Sequence, residues 1–139
     1  MDDIDNGEND WKVSYSSISW FENALNNHGN VICCSRSRDI FFRVDRKRPS
    51  DSLCLLLVNT YTFGVADYYR AKAEFPDLTC IALAGDWDGY TPEAKELTDS
   101  MGVGLCVPRD LFAALWKENP NKYVRKNREH TPRDRFRGA

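Results

Sequence analysis

The sequence of 139 residues predicts an α/β domain, a mixed sheet flanked by helices on both sides. Three observations carry this. Leu53 to Val58 is apolar at every position, and Thr79 to Ala84 is a second such run, the pattern of strands covered on both faces. Gly64 to Phe75 has helical spacing and lies between them, so the three segments make a right-handed β-α-β unit. Ahead of that unit, Val31 to Ser35 and Asp39 to Asp45 read as two strands joined by the polar Arg36-Ser37-Arg38, an antiparallel hairpin.

Between Ser14 and His28, Ile18, Phe21 and Leu25 recur at helical spacing. Ser19-Trp20-Phe21-Glu22 fits the Ser-x-x-Glu capping box, and the helix ends near Gly29. After the hairpin, Pro49-Ser50-Asp51-Ser52 breaks the chain before the strand at Leu53. The helix from Gly64 stacks Val65, Tyr68, Tyr69 and Lys72 on one side and is closed by Pro76. Thr91 is an N-cap with Pro92 at the first helical position; Ala94, Leu97, Thr98 and Met101 line one face, and Gly102 ends the helix. Val103 to Val107 is a further strand. Arg109 to Lys117 is a last helix with Leu111, Phe112, Leu115 and Trp116 toward the core, before Asn119-Pro120 releases the chain. The predicted order is α-β-β-β-α-β-α-β-α.

A hydrophobic content of 42% suffices for one core, so a single domain is expected over residues 14–118. An acidic, flexible N-terminal segment, 1–13, and a basic tail, 119–139, flank it. No apolar run is long enough to span a bilayer, and the start MDDIDNGEND is acidic where a secretory signal is basic and then apolar. A cytoplasmic protein with no membrane partner is the expectation. Cys33, Cys34, Cys54, Cys80 and Cys106 sit in apolar, strand-like runs and read as reduced, buried thiols. With no C-x-x-C spacing, and with His28 and His130 far apart, zinc is not expected; His28 reads as a helix-end cap. In the tail, Lys122, Arg125, Lys126 and Arg128 make either a solvated end or an arm that contacts phosphates.

Two stretches resemble a known family. Phe21-Glu22-x-x-Leu25-x-x-x-Gly29-x-Val31 looks like an opening helix and its turn into a first strand. Tyr90-Thr91-Pro92-Glu93-Ala94-Lys95-Glu96-Leu97, with Gly102-Val103-Gly104-Leu105 and Leu111-Phe112-Ala113-Ala114-Leu115, looks like a closing helix, strand and helix. Together with Leu53 to Val58 they resemble the PD-(D/E)xK, or restriction endonuclease-like, superfamily in its Mrr-type branch, over Ser14 to Trp116. The resemblance implies a metal-dependent nuclease site: an Asp on the second strand, a Glu-x-Lys or Gln-x-Lys on the third and sometimes a Glu on the first helix. The carboxylates hold a divalent metal that polarises phosphate and activates water. The third strand here ends Leu57-Val58-Asn59-Thr60-Tyr61, with neither acid nor lysine. The resemblance therefore implies a degenerate active site.

Glu22 is either the capping-box acid or a retained site carboxylate, and Asp39 either the second-strand Asp or a turn residue. Asp45-Arg46-Lys47 has the Asp-x-Lys spelling, but Asp39 and Asp45 on one strand are about 20 Å apart at 3.3 Å per residue, so one metal does not take both. Mg2+ or Mn2+ is expected only if Glu22 and Asp39 form an active site; otherwise no cofactor is expected. A second candidate site lies beyond the carboxyl ends of the parallel strands, between Asn59 to Thr62 and Gly85 to Tyr90, where Asp86 and Asp88 either hold a cation or make a turn.

Three function classes follow. The first is a catalytically degenerate nuclease-like domain that binds nucleic acid or protein, beside an active partner in a bacterial defence or DNA-processing assembly. Its nucleic-acid contacts are expected at Arg43, Arg46, Lys47 and Arg48 together with the tail. The second is an active metal-dependent nuclease with a non-standard site drawn from Glu22, Asp39, Asp45, Lys47 and Asn59. The third is an immunity-type or structural protein-binding partner, or a homodimer, with Trp11, Trp87 and Tyr90 as exposed anchors.

Overall fold

The apolar runs form the middle of a five-stranded sheet in the computed structural model, which describes residues 9–85 and 88–117. The elements are α1 (Tyr15–Asn26), β1 (Val31–Ser37), β2 (Phe41–Arg46), β3 (Ser52–Val58), β4 (Thr62–Phe63), α2 (Val65–Glu74), β5 (Cys80–Leu83), β6 (Gly89–Tyr90), α3 (Pro92–Ser100), β7 (Gly104–Cys106) and α4 (Pro108–Ala114). The main sheet runs β1-β2-β3-β5-β7. β2 is antiparallel to both of its neighbours, while β3 and β5, and β5 and β7, are parallel. The ends of β1, β3, β5 and β7 and the start of β2 therefore share one edge of the sheet, where Asp39 and Asn59 lie, whereas Asp45 and Lys47 lie at the opposite edge.

Neighbouring residues of β2 point to opposite faces, and this separates the two helical layers. Phe42 meets Phe21 of α1 edge-on, with ring centroids 5.1 Å apart, and Phe21 in turn meets Phe112 of α4 at 5.6 Å. Phe41 instead stacks on Phe75, at the end of α2, at 4.7 Å. α1 and α4 thus cover one face, and α2 with α3 the other. Phe21, Phe42, Leu55, Leu57 and Ile81 are almost wholly buried, each contributing about 1.5–3 kcal/mol of hydrophobic stabilisation. The uniform burial of Leu55 to Val58 and of Cys80 to Leu83 follows from the two-sided cover.

Several boundaries differ from the sequence reading. The ordered body begins before Ser14: Trp11 and Val13 are 3% and 1% exposed, and the Asn59 amide donates to the Trp11 carbonyl at 3.0 Å. Of the expected flexible segment 1–13, residues 9–13 are thus part of the domain, while residues 1–8 and 118–139 lie outside the described residues. The cap of α1 is Ser14, whose hydroxyl accepts from the Ser17 amide, so Ser19 is interior and Glu22 is not a capping acid. In α2 the buried stripe is Tyr68 and Ala71 rather than Val65, Tyr69 and Lys72; Tyr69 is more than half exposed. Met101 and Trp116 also face out, because the helices they follow have already spent their inward stripes on Ala94 and Thr98 and on Leu111 and Leu115. Of the five thiols only Cys80 is buried, and Cys33 is exposed. The strands β4 and β6, two residues each, pair in parallel as a separate small sheet and were not expected.

The end of α4 is held by polar groups that the pattern of apolar residues does not announce. The Leu115 carbonyl accepts from both the Asn30 side chain (2.8 Å) and Arg46 Nη1 (3.2 Å), and the Lys117 carbonyl accepts from Arg46 at 2.6 Å. Arg46 closes the arrangement with a two-pronged pair to Asp51, both contacts 2.7 Å. Among the described residues no helix is long and apolar enough to cross a membrane.

Candidate functional site

The turn from β1 to β2 is tight enough to need left-handed backbone at Arg38 and Asp39 (φ 48° and 71°). An Asp tolerates this region; an Arg needs support, which Arg38 has from the Phe75 ring beneath its guanidinium (4.6 Å) and from the Glu74 carbonyl (3.2 Å). The turn buries the Asp39 side chain completely. There its carboxylate accepts from Arg36 Nη1 at 2.9 Å and from the Asn9 side-chain amide at 2.8 Å, and Arg36 Nη1 also donates to the Asp39 carbonyl at 3.1 Å. On the other side of the same guanidinium, Arg36 Nε faces Glu22 Oε1 at 3.3 Å as a charge contact without an aligned hydrogen bond. Glu22 and Asp39, the two acids assigned to a metal, do converge, and Arg36 lies between them. Nothing in the sequence singled out Arg36.

The remaining candidates stand elsewhere. Asp45 is on the opposite face of the sheet, where its carboxylate accepts from Ser52 and from the Cys33 thiol (3.1 Å), with Arg43 at 3.7 Å. The Ser52 hydrogen bond, followed by that from Cys33, holds the Asp45 carboxyl below its usual range, and the same hydrogen bond pushes the Cys33 thiol up. Lys47 is exposed just past β2, at the edge away from Asp39. Asn59 follows β3 and serves the backbone: its amide group donates to the Lys12 carbonyl at 3.0 Å, and its oxygen packs over the Cα of Gly85. An Asn where a charged pair was looked for thus fastens the N-terminal segment to the strand end. Asp88 is 4% exposed and accepts from the backbone amides of Thr60 and Gly85, each at 3.0 Å, which is turn chemistry. Among the described residues no group of three or more His, Cys, Asp or Glu could hold a metal ion.

Of the basic residues expected to meet nucleic acid, Arg43, Lys47 and Arg48 are exposed. Arg46 is 1% exposed and committed to Asp51 and α4, which removes it from any such surface. Lys122, Arg125, Lys126 and Arg128 lie outside the described residues. The proposed protein anchors fare similarly: Trp11 and Tyr90 are core residues, and Trp87 lies outside the described residues. His28 is not a simple cap. Its Nδ1 accepts from the Asn30 amide at 3.0 Å, which leaves the proton on Nε2, donated to the Phe112 carbonyl at 2.8 Å, so the imidazole ties the end of α1 to α4.

Two clefts open at the carboxyl edge. One, of about 390 Å³, lies beyond β5 and β7 between the first turns of α1 and α4, with Ser16, Ser17, Trp20, Gly85 and Arg109 in its wall. The other, of about 420 Å³, lies beyond β3 and is lined by Asp10, Lys12, Asn59, Tyr61, Arg70 and Asp88. Trp20 and Arg109 were missed because an exposed Trp on a helix and an Arg after Pro108 carry no signal until the fold sets them across a cleft. Comparison with protein-family models, with curated proteins and with solved structures finds no match.

Proposed function

We propose that this chain is a non-catalytic domain of restriction endonuclease-like ancestry that acts by binding nucleic acid. The observation that carries the reading is the Arg36 guanidinium between Glu22 and Asp39. A divalent metal needs carboxylate oxygens turned to a shared point, whereas here an internal cation takes that point. A guanidinium neutralises the two acids but does not lower the pKa of a bound water or polarise a phosphate as a metal does. The strand end at Asn59 also lacks the Glu-x-Lys that would complete such chemistry, which supports the non-catalytic reading.

Nucleic-acid binding is favoured over a protein-partner role because two of the three aromatic anchors that the latter relied on, Trp11 and Tyr90, are buried in the core, the third, Trp87, lying outside the described residues. Arg43, Lys47 and Arg48 are available to phosphates, and the basic tail after Lys117 would add to them. The test has two arms. Single- and double-stranded DNA and RNA incubated with Mg2+ or Mn2+ remain intact; cleavage that disappears in Asp39→Asn but persists in Asp45→Asn overturns the non-catalytic reading. Fluorescence anisotropy over a salt series shows binding that weakens steeply as salt rises, and an absence of binding at low salt removes the nucleic-acid role.

A further inference from the structure

We infer that the cleft between α1 and α4 is a nucleotide-binding site, in which Trp20 stacks on a base and Arg109 pairs with a phosphate. The inference rests on the binding reading above only for the source of the nucleotide, a strand or a free monomer. The cleft, about 390 Å³, falls in the lower part of the range of small-ligand pockets, a size suited to one base with its sugar and phosphate rather than to a longer cofactor. It also lies where open α/β sheets gather ligands, beyond the carboxyl ends of the parallel strands β5 and β7.

The chemistry of the wall selects the ligand. Leu83, Ala84 and Val107 make an apolar floor, Ser16 and Ser17 supply hydroxyls, and among the described residues Arg109 is the one charged residue of the lining. Among the described residues Arg109 makes no ion pair, and it is exposed. A lone cation over an apolar floor with hydroxyls beside it fits a ligand that is flat and apolar at one end and anionic at the other. Trp20 gives the flat end its partner. Trp20 is 57% exposed, and its ring meets that of Phe112 at a tilt of 52°, with centroids 5.7 Å apart. An exposed indole braced by a neighbouring ring is suited to stacking, and stacking is tolerant of base identity because every base has a π-face. The site is separate from the Glu22, Arg36 and Asp39 cluster, which lies against β1.

The test is a titration of the full chain with adenosine 5′-monophosphate and, separately, with a short oligothymidylate. The readout is the part of the tryptophan fluorescence that is lost in Trp20→Phe. Both probes are expected to quench Trp20. Trp20→Ala and Arg109→Gln, whose binding is read by isothermal titration calorimetry because the first lacks the fluorophore, are each expected to bind roughly tenfold or more weakly, the size of one stacking or phosphate contact. Both side chains are exposed, so unchanged circular dichroism confirms that the variants fold. Quenching by the monophosphate alone supports the site with a free nucleotide as its ligand and removes the nucleic-acid reading. Quenching by the strand alone, with strand binding weakened in both variants, supports the site as one unit of a strand-binding surface. Strand binding that neither substitution weakens overturns the cleft inference and leaves the nucleic-acid reading standing, whereas no response to either probe overturns the cleft outright.

Discussion

Arg36 Nη1 lies 2.9 Å from the Asp39 carboxylate and 3.1 Å from the carbonyl of the same residue, so one guanidinium nitrogen holds both the side chain and the backbone of the turn. The pair holds the hairpin turn together. It also explains how a fully buried carboxylate is tolerated: a charge with no water around it needs an opposite charge and hydrogen bonds, and Arg36 with Asn9 supplies them.

Replacing the cation by an apolar side chain of similar length tests this. Arg36→Met is expected to lower stability in urea by about 3 kcal/mol, because Asp39 keeps its burial and loses its counter-charge. In that variant Glu22 and Asp39 no longer have a guanidinium between them, and Mn2+ should raise its melting temperature while leaving the wild type unchanged. An Arg36→Met protein as stable as the wild type would show that the contact is incidental.

Arg46 and Lys47 are neighbours in sequence and should differ sharply in effect. Arg46→Met removes the donors to Leu115 and Lys117 that anchor the end of α4, a loss of about 3 kcal/mol in urea denaturation. Lys47→Ala is exposed and is expected to change stability by less than about 0.5 kcal/mol while weakening nucleic-acid binding. Equal stabilities for the two variants would contradict the buried clamp.

The thiols give a pH dependence whose sign is fixed by burial. Desolvation raises Cys80 and Cys34 from an ordinary value of 9.0 to about 11. A folded-state pKa above the unfolded value means that the folded state holds its proton longer. The stability is therefore fully present below about pH 9 and is lost as pH rises through about 11. For Cys80 the loss approaches about 2–3 kcal/mol across that window. The urea midpoint of wild type should fall between neutral and strongly alkaline pH more than that of Cys80→Ala. Identical slopes for the two proteins would exclude a part for this thiol.

Periodicity found what backbone and apolar burial decide. Leu53 to Val58 and Thr79 to Ala84 had to be central strands because nothing else buries such runs, and Thr91-Pro92 marked the start of α3 through cap chemistry alone. The site was less legible because it depends on charges that meet only through the fold. Arg36 reads as a polar linker until the left-handed turn at Arg38 and Asp39 folds the carboxylate back onto it. Arg46 reads as one of a surface run, Arg43 to Arg48, and only the strand register shows that it points under α4. β4 and β6 were missed because two residues carry no period, and Trp11 because its partners are distant in sequence: Arg70 over its ring at 3.8 Å and Glu74 on its Nε1 at 2.8 Å.

Gly85 offers the sharpest test of the carboxyl edge. A methyl group added there would sit 2.6 Å from both Asn59 Oδ1 and Asp88 Oδ1. Asp88 has little room to yield, since its other oxygen accepts from the amides of Thr60 and Gly85, and Asn59 is tied to Lys12. Gly85→Ala should therefore cost about 1–3 kcal/mol, the range for overpacking a tight site. Asn59→Ala in the same chain removes one of the two obstacles, so the double variant should lose less than the sum of the single losses. Gly102 provides the contrast. It has open space but a φ of +74°, so Gly102→Ala is penalised by backbone strain of about 1–2 kcal/mol, and Asn59→Ala should not relieve it. Additive losses for Gly85 and Asn59 would mean that the strand end and the loop do not meet as described, and the packing role assigned to Asn59 would fall with that contact.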